Sequence, residues 1–155
     1  MYMKWCALAA GVALGASSAS AVDYRWTTAV NQGVFQASIE NQAKSSVAFS
    51  CNSGGLPPIE PSLAVMVRGK AIKGEKLYQF VVDGKNYPAL LTDGWLKGNF
   101  MAVKRPMTSI AFALVEARSN AFVVEVPDLK LSERFSLLNV HEALNAKDIA
   151  ECGDR

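Results

Sequence analysis

Hydrophobic and polar positions alternate along most of the chain, and turn-forming residues interrupt the alternation every eight to twelve residues. That period-2 pattern predicts short half-buried strands. Residues 24–30 (YRWTTAV) and 34–40 (VFQASIE) flank Asn31-Gln32-Gly33, the composition of a hairpin turn. Val47, Phe49 and Cys51 alternate with Ala48 and Ser50, which puts the cysteine on the same strand face as two core hydrophobes. Residues 63–68 (LAVMVR) and 76–83 (KLYQFVVD) read as strands joined by the turn-rich 69–75. Asp83-Gly84 is a tight-turn pair that returns the chain along 85–91, and Thr92-Asp93-Gly94 turns it again. Residues 99–104 (NFMAVK), 121–126 (AFVVEV, ended by Pro127) and 133–137 (ERFSL) complete the set of expected strands.

Two stretches change period. Met107, Ile110, Ala111, Leu114 and Ala117 fall at helical spacing, with Pro106 placed to open the first turn. Asn139 is positioned to cap a last helix, with Glu142 as its capping-box partner and Val140, Ala143, Leu144 and Ala150 on its apolar side. Residues 52–61 (NSGGLPPIEP) contain two glycines and three prolines and are expected to be irregular. Together these elements predict a mainly β fold: an antiparallel β-sandwich or partly closed barrel with two short helices in the C-terminal half.

The amino terminus follows different rules. Lys4 precedes an apolar run at 5–16 (WCALAAGVALGA), and Ala19-Ser20-Ala21 satisfies the small-x-small cleavage pattern. The expectation is a signal peptide at 1–21 followed by a single β-rich domain at 22–155, in the bacterial periplasm or secreted. The apolar run is shorter than the roughly 20 residues of a membrane span, so no transmembrane segment is expected after cleavage. Cleavage removes Cys6 and leaves Cys51 and Cys152, a pair that an oxidising compartment joins as a disulfide. A loop of about 100 residues closed in this way contributes about 4.7 kcal/mol in the chain-entropy treatment.

Charge and composition narrow the chemistry. The formal net charge of +2, reduced to +1 when Lys4 is removed, is too small for the field that nucleic-acid binding uses. The single histidine, His141, leaves no Cys/His zinc set and no G-x-S-x-G sequence accompanies it. Glu60, Asp83, Asp93, Glu116, Glu125 and Asp128 are scattered over turns and strand ends, and no D-x-D-x-D-G loop exists. Gly54-Gly55 lacks the Gly-Lys-Ser/Thr ending of a phosphate loop. No catalytic residue, cofactor or metal is therefore expected. Candidate partner contacts remain: Arg68, Lys70, Lys73 and Lys76 in one hairpin turn, and Lys97, Lys104 and Arg105 in a second cluster. Such cations suit anionic lipid, lipopolysaccharide or an acidic protein, or simply discourage edge pairing. Trp26, on an opening strand, reads as core; Trp95, in a loop, is the candidate exposed anchor.

Five short stretches carry a resemblance. Val82-Asp83-Gly84, Phe100-Met101-Ala102, Ala113-Leu114, Phe135-Ser136-Leu137 and Ala143-Leu144 look like the small secreted bacterial proteins of the invasion-associated locus B type, over residues 76–144. The resemblance implies a periplasmic or surface β-sandwich without known catalysis, in a family connected with host-cell invasion. That family typically carries extra cysteines near its first strands and after the VDG turn, which this chain lacks, and no functional residue is carried over. The expected function is a non-catalytic periplasmic or secreted protein that binds a protein or envelope component. The alternative is an inhibitor or immunity protein against a wall-degrading enzyme, inserting residues 56–59 or 93–98.

Overall fold

The computed structural model describes residues 24–52, 60–96 and 100–145. Strands β1 (Thr27–Asn31) and β2 (Val34–Glu40) form the opening hairpin. Gln32 and Gly33 connect them at φ 50° and 78°, the paired positive values that match the twist of a two-residue hairpin. β3 (Ser46–Asn52), β4 (Ser62–Met66), β5 (Glu75–Val82), β6 (Lys85–Thr92) and the two-residue β7 (Trp95–Leu96) follow. Helix α1 (Phe100–Val115) then crosses to β8 (Ala121–Val126), a 3-10 turn at Pro127–Leu129, β9 (Leu131–Ser136) and α2 (Val140–Ala143).

The nine strands of the described residues form one antiparallel sheet in the order β1-β2-β3-β4-β7-β6-β5-β8-β9. β7 joins two blocks: it meets β4 at the single pair Ala64↔Trp95 and β6 at Leu91↔Leu96 and Thr92↔Trp95. The blocks fold over a shared apolar core that also takes Val103, Met107, Ile110, Ala111 and Leu114 of α1. The result is an open barrel built from two sheet halves. Its edges approach without a closing ladder. The Trp26 amide donates to Leu138 O (3.0 Å) and its indole Nε1 to Ser136 O (3.2 Å). Asn139 Nδ2 donates to Trp26 O (3.0 Å) and Asn41 Nδ2 to Arg134 O (3.1 Å). Trp26 is fully buried at this seam, its ring 6.0 Å from Phe49 of β3 and 6.2 Å from Phe122 of β8. One aromatic side chain thus links the two halves, and each such contact adds about 0.5–1.5 kcal/mol beyond area burial.

Three local expectations are corrected. Phe100 to Lys104 open α1 and are not a strand, which places Pro106 inside the helix and not in its first turn. Val103 extends the apolar face of Met107, Ile110 and Leu114 by one turn, and its burial overrides the local proline signal. Asn139 adopts φ 65° and makes no cap hydrogen bond with its side chain; its carboxamide is used on Trp26 instead. Trp95 lies on β7 and not in a loop. Asn52, expected in the irregular loop, ends β3, while residues 53–59 of that loop, Ala150, the segment 1–21, Lys97 and Cys152 lie outside the described residues.

Candidate partner-binding surface

The outer wall formed by β5, β6 and β7 carries exposed apolar side chains where alternation calls for polar ones. Leu77 and Leu90 stand directly opposite each other in register, 39% and 51% exposed. Trp95, 40% exposed, is registered with Thr92, two residues along the same face from Leu90, and Ala64 opposite it on β4 is buried. An indole and two leucines on one wall form the kind of apolar centre that partner interfaces use.

The turn before Trp95 fixes its display. Asp93 and Gly94 both take positive φ, 52° and 79°. Gly94 O accepts from Val65 N at 2.8 Å, and a Cβ at Gly94 would stand 2.7 Å from Val65 O, so only glycine fits the close approach to β4. Asp93 Oδ1 accepts from Gly74 N (2.9 Å) while Asp93 N donates to Gly74 O (3.0 Å). The β4–β5 loop is thereby tied to the Trp95 turn. Asp93 to Leu96 are consequently part of the wall and do not project as an inserting element.

The same tie sorts the candidate cations. Val67 and Lys70 bridge across Arg68-Gly69, so Lys70 and Lys73 lie exposed on a loop held against the Trp95 turn. Arg68 is drawn away from them. Its amide donates to Ser45 Oγ (2.9 Å) and its Nε lies 3.4 Å from Glu133 Oε1. Lys76 is half-buried at the start of β5, and Lys104 and Arg105 belong to α1.

Sequence reasoning missed the polar centre that receives Arg68. Glu133 is buried, 6% exposed, and Asn41 Nδ2 donates to its Oε2 at 3.1 Å. Asn41 Oδ1 in turn accepts from Ser45 N at 2.9 Å. The signal was present in the alternation, since Glu133 shares its strand face with Leu131 and the buried Phe135. A cleft of about 500 Å³ lined by Tyr24, Asn41, Asn120 and Arg134 opens beside this seam. Among the described residues no cluster of three or more His, Cys, Asp or Glu side chains is placed to hold a metal ion. His141 is exposed on α2. Cys51 is buried on the core face. No described helix is long and apolar enough to cross a membrane.

A family profile, YfjT, matches residues 24–144, from just before β1 to just after α2. The chain belongs to the YfjT family. The YfjT match takes in Trp95, Leu77, Leu90, the β4–β5 loop and the seam, and it is a match to YfjT and not to the locus B type. No curated protein and no solved structure matches the chain.

Proposed function

We propose that this YfjT-family protein is a non-catalytic binding protein of the bacterial periplasm or the secreted fraction, and that its Trp95 wall engages a protein of the cell envelope. The observation that carries the reading is the exposed set Trp95, Leu90 and Leu77 on one sheet face, beside the loop that bears Lys70 and Lys73. Aromatic anchors surrounded by smaller apolar groups and cations favour an acidic-rimmed protein surface over a small molecule. The leader at 1–21 supports export, and export supports a Cys51–Cys152 bridge as the staple of the folded domain. The likeness to the locus B type gives this reading its finer form, a partner met during contact with a host cell.

Site-directed photo-crosslinking tests it in intact cells. A photoreactive side chain at Trp95 or Leu90 is expected to trap one shared protein, whereas Ser132, exposed on β9, traps none. With that partner purified, Trp95→Ala is expected to weaken binding about thirtyfold, the scale of a hot-spot loss near 2 kcal/mol. Adducts of equal yield from all three positions, or none from the first two, would sink the reading.

A further inference from the structure

We infer that the open edge of β1 pairs with β1 of a second copy, antiparallel and about a two-fold axis centred on Ala29. The argument starts from the hairpin register. Asn31 and Val34 flank a two-residue turn, so this pair exchanges both backbone hydrogen bonds. The alternation then gives the same role to Ala29↔Gln36 and Thr27↔Ser38. The even-numbered residues of the strand therefore aim their N–H and C=O groups away from β2. Trp26, one step earlier, obeys the same parity: its N–H reaches Leu138 O and its C=O receives Asn139 Nδ2. The barrel seam is zipped at Trp26 and open at Thr28 and Val30.

Four features of this edge fit a second copy. All five residues of β1 are exposed, and none is charged or proline, the devices by which edge strands usually avoid pairing. A two-fold axis through Ala29 sets Thr28 opposite Val30 of the second copy, and both residues are edge-facing, so each such pair exchanges two hydrogen bonds. Val30 is 65% exposed, more than any other large apolar side chain described, and the pairing covers it. At the opposite edge β9 carries Glu133 and Arg134 and is engaged by Asn41, so it offers no equivalent site. Five residues of strand pairing bury less than the roughly 1,200 Å² of a stable interface, so the dimer forms in a concentration-dependent way.

Proline at position 30 discriminates, because the Val30 N–H takes no part in the β1–β2 ladder and an edge strand tolerates proline there. Sedimentation velocity from about 1 µM to 1 mM is expected to show the wild type passing from monomer to dimer. Val30→Pro and Val30→Lys are expected to remain monomeric over that range with the wild-type circular dichroism and melting temperature. Hydrogen exchange adds a positional readout: the amides of Thr28 and Val30 gain protection as concentration rises, while those of Thr27, Ala29 and Asn31 are protected throughout. A wild type that stays monomeric, or folded variants that dimerise as the wild type does, overturns the inference. Trp95→Ala is expected to leave the dimer intact, so this result and the crosslinking result fail independently.

Discussion

Asp83 is a single side chain that couples two distant parts of the chain. It occupies a left-handed turn position, φ 49°, between β5 and β6. Its Oδ2 accepts from Arg118 N at 2.8 Å and its Oδ1 from Ser119 N at 3.0 Å, closing the exit of α1 onto the sheet. The Arg118 amide, then the Ser119 hydroxyl and amide, hold the carboxyl below its ordinary value of 3.8. A carboxylate with a depressed folded value contributes stability that is complete above the unfolded value. That contribution is lost as pH falls through the folded one. The wild type is therefore expected to lose stability below about pH 4 more steeply than Asp83→Asn, whose carboxamide accepts the left-handed geometry and carries no titration. Urea midpoints measured at neutral pH and at intervals below pH 5 check this. The variant is expected to start lower and the two curves to converge in acid; parallel curves would mean that the Asp83 contacts do not discriminate the ionised form.

At the scale of elements, α1 holds the sharpest conflict between local and tertiary preference. Pro106 is the seventh residue of a helix that runs Phe100–Val115, where it removes a donor and crowds the preceding turn. The helix continues through it because Val103, Met107, Ile110 and Leu114 are all buried against the sheet. Pro106→Ala is accordingly expected to stabilise the protein by about 1–2 kcal/mol, less than the roughly 3 kcal/mol of an exposed helix interior because the half-buried ring packs and restrains the unfolded chain. Equilibrium unfolding in urea reads this directly, and a loss of stability would mean that the ring packing outweighs the helical cost. The same conflict explains where strand reading failed. In β3, β5, β8 and β9 alternation, turn pairs and burial all agreed, and the elements were legible to within two residues. In 99–104 the apolar spacing served a strand and a helix equally well, and only the sheet surface beneath it decides. β7 is two residues long and exists through pairing, which no local pattern announces.

For the whole molecule, what the sequence left illegible is the seam. Period-2 patterning tells which face of a strand is buried, yet it carries no information about which strands meet when the sheet folds over. Trp26 is core as expected, but it precedes β1 and is buried by the seam and not by a place on a strand. Trp95 was legible as an exposed aromatic because it follows Asp93-Gly94; Leu77 and Leu90 were not, because apolar residues on both faces of β5 and β6 look the same in sequence as a strand buried on both sides. Arg68 was counted among loop cations, whereas its partner Glu133 is 65 residues away. The polar lock that results makes a distinct prediction. Asn41, buried between β2 and β9, donates to Glu133 Oε2 and Arg134 O and accepts from Ser45 N. Asn41→Ala leaves a buried carboxylate short of a donor and a buried amide without its acceptor, and about 3 kcal/mol of destabilisation is expected. Arg68 supplies only partial compensation, since its side chain is 69% exposed and its contact with Glu133 is long at 3.4 Å. Glu133→Gln removes the charge that Asn41 serves, so in its presence Asn41→Ala is expected to cost less. A double-mutant cycle in urea is expected to return a coupling of about 1 kcal/mol or more between the two positions. Additivity within about 0.5 kcal/mol would show that Asn41 holds the seam through the backbone contacts to Ser45 and Arg134 alone, with the buried carboxylate as a bystander.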